Sequence, residues 1–172
     1  MAVSAMAGDC NNDKFQGTYT RVDAPSDVYG DGSVMHQYVY QLVLNSDGSA
    51  IQYWTGLPDI QINFGTGSIN IGSWKCRSDG KLVVNLLAAS YSPIGPNANL
   101  GTPDTSLTST THYTFLFKIN NPNQLTRIQS RSRVYSPSAD PTDPAGGTLG
   151  ALNTTQVTYK RFVASDADLT AP

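Results

Sequence analysis

Four side chains in this sequence could do chemistry on a small molecule: His36, Tyr38, Tyr113 and Arg133. Imidazole and phenol can give or take a proton, and a guanidinium can donate hydrogen bonds to a carbonyl or anionic oxygen. None of the four sits in a motif that fixes a reaction. The chain contains no Glu, no carboxylate pair, no Ser-His-Asp order, no phosphate-binding glycine loop and no metal-ligand cluster. Asp23, Asp27, Asp31, Asp140 and Asp143 lie in Pro- and Gly-rich stretches, where Asp is first of all a turn residue. Cys10 and Cys76 lack His at ligand spacing and fit one disulfide better than a zinc site. The expected chemistry therefore needs no cofactor and no metal. It is recognition of a small apolar or aromatic molecule by those four groups and by the rings of Tyr40, Trp54, Trp74, Tyr91, Phe115 and Tyr135.

Such residues have to be held by something, and the composition says by strands. The 172 residues suffice for one domain with a core, only 14% are charged, and the formal net charge is −2. That balance argues against nucleic acid, which demands a basic face. No stretch carries apolar residues at helical spacing, and no run approaches a membrane span. Asn, Ser, Thr, Gly and Pro are plentiful, as in an all-β chain with turn-rich connections.

Eight strand-like runs follow one another: Phe15–Val22, Val34–Asn45, Ser49–Thr55, Ile69–Arg77, Lys81–Tyr91, Thr111–Asn120, Gln124–Tyr135 and Thr154–Val163. Asn45-Ser46-Asp47-Gly48, Ser78-Asp79-Gly80 and Asn121-Pro122-Asn123 are tight turns. The other connections are long and rich in Pro and Gly. Long and short connections alternate without a break. In an up-and-down barrel that order puts every tight turn at one end and every long loop at the other. The expectation is an eight-stranded antiparallel β-barrel whose first and last runs pair, with an interior wide enough for side chains or one small ligand. A β-sandwich is the competing architecture.

Within this pattern Gly17-Thr18-Tyr19 on the first run and Arg161 on the last resemble the paired motifs of the lipocalins, members of the calycin superfamily. That resemblance implies a lipocalin-like barrel, with Arg161 packing across the ring of Tyr19 at the closed end. Tyr stands where lipocalins carry Trp, and too little chain follows Val163 for their C-terminal helix. The resemblance also allows two roles for the barrel, binding or cofactor-free catalysis.

Strand alternation assigns the faces. His36, Tyr38, Tyr40, Leu42 and Leu44 point inward on the second run, with Gln37 and Gln41 outside. Tyr113, Phe115, Phe117 and Ile119 point inward on the sixth, with His112 outside. Trp74 points inward on the fourth. Tyr53 and Trp54 point to opposite faces of the third, and either could be the inner one. Arg127, Arg131 and Arg133 form a stripe on the seventh, read as a solvated face; the opposite phase would bring the stripe inside and favour an anionic or carbonyl-bearing ligand. His36, Tyr38 and Tyr113 fall near the open end, with Tyr91, Arg133 and Tyr135 at its rim.

The expected organisation is an arm or signal-peptide remnant over 1–9, one barrel domain over 10–163 and a tail over 164–172. Ala5-Met6-Ala7 has the small-x-small form of a signal-peptidase site. With a Cys10–Cys76 bridge it implies export to an oxidising compartment. Asn153-Thr154-Thr155 is an N-glycosylation acceptor if the host is a eukaryote. The expected function is a secreted barrel binding a small apolar or aromatic molecule. The alternatives are a cofactor-independent cyclase or isomerase using the same cavity, and a non-catalytic surface-interaction domain. The sequence leaves the oligomeric state open.

Overall fold

Alternation of burial is what builds this molecule. In a computed structural model that describes residues 12–24, 26–27, 35–36, 38–55, 69–91 and 107–163, the run Leu82–Tyr91 turns Leu82, Val84, Leu86 and Ala88 to the core and their neighbours outward. That period of two is the signature of a sheet with one wet face. The elements are one helical turn α1 (Asn12–Phe15), then β1 (Gly17–Val22), β2 (Ser26–Asp27), β3 (Met35–His36), β4 (Val39–Leu44), β5 (Ser49–Thr55), β6 (Asn70–Cys76), β7 (Leu82–Tyr91), β8 (Leu107–Asn121), β9 (Gln124–Tyr135), β10 (Thr148–Leu149) and β11 (Val157–Arg161). Among the described residues no helix is long and apolar enough to cross a membrane.

Eight of these strands close a barrel in the order β9-β11-β1-β4-β5-β6-β7-β8 and back to β9, every pair antiparallel. The first and last barrel strands do pair, Tyr19 with Arg161 and Thr20 with Lys160, and Phe162 N donates to Thr18 O at 2.7 Å. A sandwich is thereby excluded. The tight turns after β4, β6 and β8 all lie at one end, and β5, β7 and β9 end at the other. The short β10 is an addition to the expected plan. It pairs with β9 at Val134 and Arg133, and Asn153 bridges Ser130, so residues 148–161 run beside β9 for most of its length.

The second run departs from expectation. It is divided into β3 and β4, and β3 leaves the barrel to pair with β2 in a separate ribbon, Ser26 opposite His36. β8 begins four residues earlier than the expected Thr111, because Leu107–Thr110 continue the ladder against β7 and β9.

The closed end is plugged by rings. Phe15, Tyr19, Leu42, Leu44, Trp74, Leu82, Phe117, Leu125 and Tyr159 form the core. Tyr19 Oη lies 3.1 Å from the Phe15 carbonyl and 3.0 Å from that of Pro122, so its proton is satisfied within the plug. The guanidinium of Arg161 corrects the expected contact with the Tyr19 ring. The two residues are register partners, but the guanidinium lies against Gly17 and its Nη2 donates to Gln16 O at 2.6 Å. Gly17 has φ +139°, a conformation that favours glycine, and a Cβ there would stand 2.8 Å from Arg161 Nε and push that side chain aside.

Candidate functional site

Above the plug the interior opens into a cavity of about 730 Å³, inside the usual range of roughly 300–1,000 Å³ for small-molecule sites. β4 supplies Tyr40 and, from the residue just before it, Tyr38. β5 supplies Gln52 and Trp54, β8 supplies Tyr113 and Phe115, and β9 supplies Arg127, Ser130 and Ser132. Arg21 of β1, Asn70 of β6 and Tyr159 of β11 complete the inner wall. The rings stand in two groups. Tyr38 lies 5.8 Å from Trp54 and 6.3 Å from Tyr40, centroid to centroid, and Tyr113 stacks on Phe115 at 5.9 Å. Trp54 is therefore the inner residue of its pair and Tyr53 the outer one, since Gln52 on the same face as Trp54 is buried.

The floor of the cavity is polar, unlike the largely apolar interior expected. Arg21 Nη2 binds Asp23 Oδ2 at 2.5 Å, and its guanidinium carbon sits 4.0 Å from the Tyr40 ring centroid. Arg21 Nη1 and Gln52 Nε2 reach Tyr159 Oη at 3.4 and 3.5 Å, and Asn70 Nδ2 donates to Gln52 Oε1 at 3.2 Å. Burial raises the Tyr159 hydroxyl above its ordinary pKa of 10.0, with Arg21 and Arg127 pulling the other way. Burial likewise raises Tyr40, opposed by Arg21. Both phenols stay protonated at neutral pH. Burial works against the charge of Arg21, but hydrogen bonding to Asp23 and attraction to Tyr159 outweigh it and the net shift is upward. Arg127 is the contrast: burial lowers its pKa, Arg21 adds repulsion, and Tyr159, Tyr40 and the Asp23 carboxylate offset only part of this.

Arg127 is inside because β9 is bulged. Phe117 pairs with Arg127 and Leu116 with Gln129, which leaves Ile128 unpaired. One extra residue shifts the phase of everything beyond it. Leu125 and Arg127 face inward, and so do Ser130 and Ser132, which pair with the inward Phe115 and Tyr113. Arg131 and Arg133 pair with Thr114 and His112 on the outer face. The expected arginine stripe therefore does not exist as one face.

The predicted site residues divide accordingly. Tyr38, Tyr40, Trp54, Tyr113 and Phe115 come together in the cavity. Trp74 faces inward but belongs to the plug, buried, with Nε1 donating to Asn45 O at 2.9 Å. Tyr91 ends β7 beyond a register shift, half-buried, and does not line the cavity wall. Arg133 lies outside the barrel, where Nη1 donates to Gly146 O at 2.7 Å. Tyr135 is also outside. It is buried under the loop that follows β9, its hydroxyl donating to Asp143 O at 3.0 Å. His36 has its backbone in the β2–β3 ribbon, and its side chain lies outside the described residues, as does Cys10. Cys76 ends β6 beside the core. Asn153 stands at the cavity edge with Oδ1 accepting from Thr155 N at 2.8 Å.

Arg21, Gln52, Asn70 and Tyr159 are cavity residues that the sequence reading missed, and Arg127 is one it read as solvent-facing, with the inward phase as the alternative. A signal was present for most of them: Arg21 is two residues after Tyr19, Gln52 two before Trp54, Asn70 four before Trp74, and Tyr159 two before Arg161, each on its neighbour's face. Compared with protein-family models, curated proteins and solved structures, the chain matches none.

Proposed function

We propose that this protein is a secreted, lipocalin-like binding barrel that holds one small aromatic molecule in its central cavity. The observation that carries the reading is the pair of ring clusters, Tyr38 with Trp54 and Tyr113 with Phe115, lining an open cavity of about 730 Å³. Aromatic walls hold a flat ligand through area and through ring–ring geometry worth about 0.5–1.5 kcal/mol per pair beyond burial. Among the described residues no cysteine is free, which supports a Cys10–Cys76 bridge and the oxidising compartment it implies.

N-phenyl-1-naphthylamine, a neutral aromatic probe, tests the reading by its fluorescence gain and by energy transfer from tryptophan. Tyr38→Ala is expected to weaken its binding about tenfold, while Tyr53→Ala on the outer face leaves it unchanged. Absence of binding, or equal loss in both variants, refutes the proposal. A second reading, a cofactor-free cyclase or isomerase, is favoured by one observation only: the donors at the cavity floor could polarise a carbonyl.

A further inference from the structure

The protein has six arginines, all among the described residues. Five have a polar partner: Arg21 binds Asp23, Arg77 binds Asp79, and Arg131, Arg133 and Arg161 donate to the carbonyls of Gly150, Gly146 and Gln16. Arg127 is different. It makes no hydrogen bond or ion pair among the described residues, its Nε is buried without a partner, and its contact is with the face of Phe115, 5.6 Å from guanidinium carbon to ring centroid. A guanidinium is a five-donor group that is rarely left unused when buried, and each such case calls for a reason.

We infer that the ligand of this cavity is an aromatic or conjugated carboxylate, and that Arg127 is the residue that takes its carboxylate. The inference rests on the small-molecule reading above and adds the chemical class. Charge supports it. The nearby acid, Asp23, is engaged by Arg21, and Arg131 at the cavity edge donates to Gly150 O, so Arg127 is the lining cation left without a polar partner among the described residues. Geometry supports it as well. The planar fork of a guanidinium matches a carboxylate in two parallel hydrogen bonds. The rings stand beside that fork, Phe115 directly against it and Tyr113 stacked on Phe115, so an anion attached to a flat ring satisfies both at once. Ser130 lies on the same inner face just past the bulge, where its hydroxyl can serve the second carboxylate oxygen. Tyr159, wholly buried and accepting from Arg21 Nη1, is a supporting group of the floor rather than a contact of the ligand.

The test is displacement of N-phenyl-1-naphthylamine by trans-cinnamate and by its neutral isostere trans-cinnamamide. The wild-type protein is expected to bind cinnamate roughly 10- to 100-fold more tightly than the amide, the range for charge-assisted hydrogen bonds to a paired ion. Arg127→Met keeps the neutral probe, which also reports that the barrel is folded, and loses the preference; Arg127→Lys keeps the charge without the fork and retains only part of it. Equal affinity of the two competitors in the wild-type protein overturns the inference and leaves the small-molecule reading standing. So does a preference that survives in Arg127→Met. Failure of the wild-type protein to bind the neutral probe removes the small-molecule reading and the inference with it. If Arg127→Met does not fold, the wild-type ratio and Arg127→Lys decide.

Discussion

Replacing Arg127 with Met should make the empty protein more stable. The native side chain holds a guanidinium half-buried, with Nε shielded and unpaired. A buried donor without a partner costs about 1–3 kcal/mol. What Arg127 gains in return is a cation–π contact with Phe115, worth about 0.5–1 kcal/mol at a site this open. Met has similar reach and no polar hydrogen, and it packs well against aromatic rings. The balance favours the variant by about 0–2.5 kcal/mol, which for a domain of this size raises Tm by up to roughly 10 °C. Urea denaturation without ligand, followed by tryptophan fluorescence, measures the difference directly. A variant that is less stable than wild type by about 1 kcal/mol or more would mean that Arg127 has a structural partner, and the reasoning would fail. A gain in stability with a loss of ligand preference is the trade expected of a binding residue that the fold does not need.

Gly17→Ala should lose about 2–4 kcal/mol, from positive-φ strain and displacement of Arg161 from Gln16 O; a change in urea midpoint too small to resolve would contradict the packing at the closed end. Alkaline pH should destabilise the barrel. Tyr19, Tyr40 and Tyr159 have pKa values raised by burial, so the stability they contribute is complete below the ordinary value of 10.0 and is lost as pH rises through their folded values. Phenolate absorbance should therefore appear for these three only together with unfolding, and early reversible ionisation of all nine tyrosines would refute it. Reduction should cost about 4 kcal/mol if Cys10 and Cys76 are bridged across their long loop; two thiols that alkylate in the native protein without reductant would exclude the bridge.

The closure of the barrel was legible because loop length is written locally. Gly, Pro and Asn mark each turn, and the alternation of long and short connections has one simple geometric solution. The aromatic half of the cavity was legible for the same reason. Tyr38, Tyr40, Tyr113 and Phe115 alternate without interruption, and period two assigns them one face. The polar half was hidden by two things. Ile128 forms a bulge, and nothing in Thr126-Arg127-Ile128-Gln129 announces the residue at which strict alternation breaks. Arg127 was thus grouped with Arg131 and Arg133, which face the other way. Arg21 and Tyr159 were hidden by their neighbours, because Tyr19 and Arg161 drew the reading toward the closed end. Tyr135 shows a third limit. Its burial comes from a loop folded over the outside of the barrel, a contact that no strand periodicity contains.

A crystal structure of the protein with trans-cinnamate bears most directly on the cavity as a ligand site. Density for the ring is expected in the cavity beside Phe115 and Tyr113, with both carboxylate oxygens within hydrogen-bond reach of the Arg127 guanidinium. Cinnamate found instead on the outer face of the barrel, or a barrel interior closed over by its own side chains, would contradict it.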